Sequence, residues 1–489
     1  MIHLPFRQIH LDFHTSEAIP GVGKEWDKAH FQRMLRLGHV NSINIFGKCH
    51  HGWSYYPTQV DGCAMHPTLT FDLLGAMIEA CHEIGVKCPV YISVGLDEQL
   101  ARRHAEWLRR QPDGGTAWVG WMQPGYHEIC LRTPYLDTVV AQTEEVCRRY
   151  TPDGIWLDIV GPKSCCCQTC IAEMRRRGWD PRDPARQQEL GRETYVNYAR
   201  RINAAIHAIT PDALIFHNHG HIIRGDRELA YLNTHIELES LPTGGWGYDH
   251  FPLSARYVHG LDRDYLGMTG KFHTFWGEFG GYKHPNALRY EAALALANGA
   301  KLCVGDQMHP YGKLDEATYR LIGEAYAEIA PKEPWCDGVT SVADVGVLSI
   351  EAFTRTSSLH DTGSLARLVD PGAVRVLQEG GILFDIIDTE SDFGRYQVII
   401  LPDAIPVDDA LGAKLRAYLA AGGKIFATGA SALDAEKGAF VLDFGVRYLG
   451  KAASNPAYLR PRFDLAPWAP ASHVVYTEMY DIAAASGEV

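Results

Sequence analysis

The chain contains no run approaching the roughly 18 consecutive apolar residues that a membrane-spanning helix requires. Its opening stretch, MIHLPFRQIHLDFHTSEAIPG, shows no basic region followed by an apolar segment. A soluble, cytoplasmic protein with no membrane partner is therefore expected. Positive charge is in deficit: 46 Lys and Arg stand against 59 Asp and Glu, a formal net charge of -13, which repels phosphate backbones and anionic surfaces. The one arginine-dense stretch, MRRRGWDPRDPARQQELGR, alternates with acids and reads as a solvated helical face, so no nucleic-acid partner is expected. Cysteine is also scarce. Twelve in 489 residues are too few for a disulfide scaffold, and their uneven clustering points to thiols or metal in a reducing compartment. Beyond residue 340 there is no GxGxxG or Walker loop and no cysteine at a strand-to-helix elbow, so neither nucleotide nor glutaminase-type chemistry is expected there.

What is present is length, a 46% apolar content sufficient for a full core, and a repeating unit. Short β-rich runs, RQIHLDFH, NSINIFGK, KCPVYISVG, DGIWLDIV, ALIFHNHG, HIELES, DYLGMTGKFH and AKLCVGDQ, alternate with helical stretches such as AHFQRMLRLG, FDLLGAMIEACHEIG and YLDTVVAQTEEVCRRY. Eight strand–helix units predict a (β/α)8 TIM barrel over residues 1–335 with enlarged loops. After PKEPWCDGVTSV the pattern changes to short, fully apolar strands between helices. This predicts a doubly wound α/β domain (flavodoxin- or class I amidotransferase-like) over 340–450, with an oligomerising role. Residues 451–489 read as a short C-terminal β segment, part of an incomplete β domain.

In such barrels functional groups sit at the C-terminal ends of strands. The strand ends here supply His14, His50, His51, Asp158, His217, Asn218, His219, Glu237, Glu239, Glu278 and Asp306. Each alone is as readily a hydrogen-bonded structural residue; titratable groups recurring at nearly every strand end favour a site. Carboxylates on strands four and six face the same mouth, and glycoside hydrolysis needs two such groups flanking the bond. Trp53, Tyr55, Tyr56, Trp156, Trp246, Tyr248 and Trp276 offer faces for a sugar, though each alone also suits core packing, while the histidines and Asn218 pair with hydroxyls.

The segment YTPDGIWLDI resembles the strand-four pattern Pro-Asp-x-x-Trp-x-Asp of glycoside hydrolase family 29 α-L-fucosidases. That resemblance implies a nucleophile at Asp158 and a sugar-facing aromatic at Trp156. KCHHGWSYYPT is similar to the family's Lys-His-His-Asp-Gly-Phe-x-x-Trp-Pro-Ser, FHT at 13–15 to its Ile-His-Trp, and IELESLPTGGWGY to its Trp-Glu-Thr segment ending in Ser-Trp-Gly-Tyr. These imply hydroxyl ligands at His14, His50 and His51, and an acid/base Glu. Aligned without gaps the second motif places Cys49 and His50 at the paired histidines and His51 at the Asp; a shift by one keeps both histidines and loses the Asp. At strand six Glu237 and Glu239 share a face, and both stay open as acid/base. The domain order looks like the related family 151 α-L-fucosidases, which carry a β-galactosidase-type trimerisation domain; this implies a homo-oligomer, with a trimer as one form.

A family 42 β-galactosidase has a similar order and would use Glu278 of FWGEFGG as nucleophile, but strand four ends here in Trp-Leu-Asp, without the Asn-Glu such enzymes place there. A non-catalytic carbohydrate-binding barrel is the third reading. The preferred chemistry needs no cofactor. The cluster CCCQTC adds a separate question. Cys165, Cys167 and Cys170 are spaced for one zinc, with Cys130 of EICLRTPY the best fourth ligand. The arrangement resembles a cysteine zinc site of family 42 enzymes; free thiols remain the alternative, and a four-thiolate shell would make the metal structural.

Overall fold

Aspartates start several of the helices that separate the barrel strands. In the computed structural model, which describes residues 4–354, 366–463 and 471–486, Asp27 caps α1 (Lys28–Leu37) and Asp72 caps α2 (Leu73–His82), each accepting a backbone N–H of the first turn. α3 (Tyr135–Tyr150) ends at Thr151 in the left-handed region. Asp183 caps α4 (Pro184–Ile209), whose proline at the first turn donates nothing that the helix needs. α5 (His250–Val258) and α6 (Pro285–Ala297) follow, and Asp315 caps α7 (Glu316–Ile329). In α1 the buried Phe31, Met34 and Leu35 fall at i, i+3 and i+4, the stripe that lies against the sheet.

Eight strands form the barrel: β1 (Arg7–Asp12), β2 (Ser42–Lys48), β3 (Pro89–Ser93), β4 (Gly154–Asp158), β5 (Leu214–His217), β6 (Ile236–Glu239), β7 (Tyr265–Gly270) and β8 (Lys301–Gln307). They are parallel, in the order β5-β4-β3-β2-β1-β8-β7-β6. The seam between β5 and β6 is bridged by Thr234, whose N–H donates to the Ile215 carbonyl at 3.0 Å. Every residue of β2, β4 and β8 is buried, as expected of strands covered on both faces. Alternation then decides which side chains enter the barrel: Trp156 and Asp158 of β4 point inward with Glu237 and Glu239 of β6, while Ile155 and Leu157 pack outward. A two-residue strand at Trp53–Ser54, antiparallel to β2, pairs with another at Ala64–Met65 in the β2 loop.

The chain divides into two units: Met1–Ile222 with Glu228–Val258 and Asp262–Thr340, and Ile223–Arg227 with His259–Leu261 and Ser341–Val489. The second unit holds a parallel sheet of β9 (Val345–Leu348), β10 (Phe384–Ile387), β11 (Val398–Leu401) and β12 (Lys424–Ala427), in the order β10-β9-β11-β12. Its core gathers Leu348, Ile387, Ile399, Leu401, Leu411 and Leu415. The sheet order reverses direction about β9, the doubly wound pattern. Short antiparallel pairs follow, Val446–Lys451 with Tyr480–Ala484 and Ala457–Leu459 with His473–Val475. Parts of the expected C-terminal segment, 464–470 and 487–489, lie outside the described residues. Among the described residues no helix is long and apolar enough to cross a membrane.

Candidate active site

β4 ends on Asp158, which is 7% exposed. Its two oxygens have different partners: Oδ2 accepts the Tyr91 hydroxyl at 2.6 Å, and Oδ1 accepts the Asn218 amide at 3.0 Å. Burial, followed by the charge of Asp158, pushes the Tyr91 phenol far above its usual value, so it remains a donor. Asn218 is the pivot of the site. Its Oδ1 accepts the Gly220 N–H at 3.0 Å, which turns Nδ2 toward the acids, and the same nitrogen also donates to Glu239 Oε2 at 3.3 Å. One amide nitrogen thus touches both carboxylates, so the facing oxygens lie no farther apart than two hydrogen bonds laid end to end. That fits the short separation of about 5–5.5 Å used for covalent catalysis rather than the gap of about 6.5–9.5 Å that holds a water.

The two strand-six glutamates have distinct surroundings. Glu237 lies deeper and both its oxygens are taken: Oε2 accepts the Trp156 indole N–H at 2.9 Å, and Oε1 pairs with His235 Nε2 at 2.8 Å. Glu239, at the strand end, accepts the Trp276 indole N–H at 2.8 Å on Oε1 and shares Asn218 on Oε2. Burial, then the charges of Asp158 and Glu237, raise the Glu239 carboxyl above its usual range against the opposing indole and amide bonds. A carboxyl pushed toward its protonated form and sharing one amide with a second acid is the pairing acid–base chemistry uses.

Histidines line the opposite wall. His14 stacks on His50 with ring centroids 3.9 Å apart; its Nε2 meets Asp12 Oδ1 at 3.1 Å and its Nδ1 accepts the His50 backbone N–H at 3.1 Å. The Ser93 hydroxyl donates to the Leu96 carbonyl at 2.7 Å, so His50 Nδ1 donates to Ser93 Oγ at 2.7 Å. Burial lowers the His50 pKa strongly, leaving Nε2 an acceptor 3.8 Å from Asp158 Oδ2. His51 pairs with the Tyr126 hydroxyl at 3.0 Å and burial lowers its pKa to about 4. Trp156 is buried, stacked on Tyr91 with centroids 5.3 Å apart and edge-on to His10.

Several expected site residues stand elsewhere. His217 turns outward to the Tyr198 hydroxyl at 3.1 Å and Asn203 of α4 at 2.9 Å, because the inward parity of β5 belongs to Phe216 and Asn218. Asp306 likewise sits opposite to the inward Gly305, whose added Cβ would meet Trp276. Glu278 bonds within its own loop, accepting the Thr274 N–H at 2.5 Å, and Trp246 packs edge-on to His250. Tyr55 and Tyr56 are core residues, 0% and 1% exposed. Tyr91, Ser93, Asp12 and His235 were not anticipated; for the first two, the inward parity of β3 was the available signal.

The four cysteines converge. Cys130, Cys165, Cys167 and Cys170 are buried with their sulfurs all within 4.8 Å of one another, Cys130 and Cys170 at 3.6 Å. A tetrahedron of thiolates at about 2.3 Å from zinc has edges of about 3.8 Å, so the set fits that ion.

The family described as hypothetical glycosyl hydrolase 6 matches residues 27–159, and the β-galactosidase trimerisation domain matches 375–451. No curated protein sequence matches the chain. Among solved structures, α-L-fucosidase isoenzyme 2 from Paenibacillus thiaminolyticus is 53% identical with a TM-score of 0.94, over 99% of this chain and 73% of its own. The β-galactosidases from Bacillus circulans sp. alkalophilus (15% identity, TM-score 0.73, 99% of this chain, 81% of its own) and Halorubrum lacusprofundi (16%, 0.72, 96% and 82%) share the fold. The strand-four acid, the trimerisation-type second unit and more than half of all residues in common place this chain in the glycoside hydrolase family 29/151 type of α-L-fucosidases.

Proposed function

We propose that the chain is a retaining α-L-fucosidase that releases terminal α-L-fucose through a covalent glycosyl-enzyme. The observation that carries the mechanism is the Asn218 amide shared between Asp158 and Glu239. In the first step an Asp158 oxygen attacks the anomeric carbon, the bond to the leaving oxygen breaks, and Glu239 gives that oxygen its proton. Asp158 is then an ester and carries no charge. One of the repulsions that raised the Glu239 pKa is gone, so Glu239 becomes a competent base for the water that releases the sugar and restores the Asp158 carboxylate. Between Glu237 and Glu239, the greater exposure at the strand end and the raised pKa favour Glu239; Glu237, buried and tied to Trp156 and His235, lies below it.

The unprotonated Nε2 of His50 is assigned to sugar hydroxyls, with His51 beside it and Trp276 as an apolar wall; His14, whose two ring nitrogens are held by Asp12 and the His50 backbone, is assigned to orienting the His50 ring it stacks on, and Trp246 and Glu278 belong to the outer loops of the mouth. No cofactor enters the reaction. The four-cysteine set is assigned to a structural zinc with no open position, expected at one per chain by metal analysis. The trimerisation-type unit supports a homo-oligomer, a trimer by that domain's description, and the free, clustered thiols support a reducing, cytoplasmic setting.

Hydrolysis of an aryl α-L-fucoside and an aryl β-D-galactoside by wild type and Asp158→Ala tests the reading. Fucoside turnover that collapses in the variant is expected. Galactoside turnover that survives in the variant would overturn both the substrate and the nucleophile, and would direct attention to Glu278.

A further inference from the structure

The residue after Asp158 adopts a backbone conformation that a β-branched side chain disfavours. Ile159 has φ 58°, in the left-handed region, where its branched Cβ is crowded and the surroundings must hold the chain. This turn fixes two groups of the site. The Asp158 carbonyl accepts the N–H groups of both Val94 and Gly95 at 3.1 Å, and the Val160 N–H donates to the Asn218 carbonyl at 3.0 Å. The close approach demands glycine at 95, since a Cβ there would strike the Ile159 carbonyl oxygen.

One side chain closes on the turn. Lys163 Nζ donates to the Ile159 carbonyl at 3.0 Å and pairs with Glu128. Glu128 is 3% exposed, and its other oxygen accepts Arg109 Nη1 at 2.8 Å, while Arg109 Nε donates to the Ser164 carbonyl at 2.8 Å. A buried acid thus anchors two cations, and each of them grips a backbone carbonyl of the loop that leaves β4. An ammonium on the Ile159 carbonyl favours the flipped peptide over the ordinary strand geometry, because the charged donor is stronger than a neutral one.

We propose that Lys163 is a positioning residue for glycosyl transfer: anchored by Glu128 and Arg109, it clamps the left-handed Ile159 peptide and thereby aims Asp158 and Asn218. The proposal rests on Asp158 being the nucleophile. It deepens that reading by naming what holds the acid in line, since a displacement of about 1 Å can cost about 100-fold in rate.

Lys163→Met keeps the stem and removes the donor, and Lys163→Arg keeps charge and donor. For the Met variant, kcat on an aryl α-L-fucoside is expected to fall about 10- to 100-fold with KM within about threefold and the melting temperature within a few degrees, and the Arg variant to recover most of the rate. A crystal structure of the Met variant is expected to show Ile159 at negative φ. A kcat within about twofold of wild type, or an Ile159 that keeps its positive φ, overturns the clamp; so does an equal loss in both variants. Should the Met variant fail to fold, Glu128→Gln is read by the same two measurements. The crystallographic readout needs no substrate. Absence of fucoside turnover by wild type would instead sink the proposed function, so the two failures are separable.

Discussion

The mouth of the barrel and the second unit handle buried charge in opposite ways. In the second unit buried ions sit against partners of opposite sign: Arg224 with Glu351 and Asp370, Arg227 with Asp388 at 2.7 Å, and His259 with Asp385 at 3.0 Å. In the barrel mouth Asp158, Glu237 and Glu239 converge, and their hydrogen bonds come from a phenol, an amide, two indoles and an imidazole rather than from Lys or Arg. Paired charges hold a fold together at little net gain. Unbalanced like charges cost stability and are kept where a proton must move, so the contrast marks the barrel as the reacting unit.

Four substitutions can break or sharpen that contrast. Asp158→Ala is expected to reduce kcat/KM on an aryl α-L-fucoside by about 10⁴-fold or more while leaving the melting temperature little changed, measured by steady-state kinetics and calorimetry. Arg224→Met should do the reverse. Leaving Glu351 and Asp370 buried without their cation is expected to cost about 3–5 kcal/mol in denaturant unfolding, with kcat of the folded enzyme within about twofold. Glu239→Gln is expected to lower activity by about 10²- to 10³-fold on substrates with poor leaving groups and less on activated ones. Because the Glu239 carboxyl is raised and works protonated, wild-type activity declines as pH climbs through that pKa, and the alkaline limb should vanish in the Gln variant.

The smallest effect concerns an acid outside the reacting set. Burial raises the Asp306 pKa to about 7 from the usual 3.8. The folded protein therefore binds the proton more tightly than the unfolded chain, and this contribution to stability is present below pH 3.8 and lost as pH rises through about 7. Asp306→Asn should flatten that slope and raise the melting temperature at pH 8 by a few degrees, with kcat unchanged. A loss of activity in this variant would place Asp306 among the reacting groups and blur the contrast.

All eight barrel strands were legible because strands buried on both faces leave continuous apolar runs bounded by glycine and polar turns. The short strands at 53–54 and 64–65 were not, being too brief to carry a period. At the site the sequence located Asp158, Asn218 and both glutamates, because strand ends are countable. It did not separate Glu237 from Glu239: their spacing is one full strand period, so only depth and partners tell them apart. His217 and Asp306 stand at strand ends yet leave the rim, because nearness to a strand end says nothing about face and parity turns both outward. Tyr91 escaped notice because a buried tyrosine in a barrel strand reads as core until its hydroxyl is seen on Asp158. The Ile159 turn was invisible for a plainer reason: nothing in an isoleucine announces a positive φ.

The central claim, covalent catalysis by Asp158 on α-L-fucosides, is tested most directly by trapping. Incubation with a 2-deoxy-2-fluoro-α-L-fucosyl donor followed by peptide mapping by mass spectrometry reads which carboxylate becomes esterified. The account predicts a single fluorofucosyl label on Asp158, absent in Asp158→Ala. A label on Glu239, Glu237 or Glu278 would contradict it.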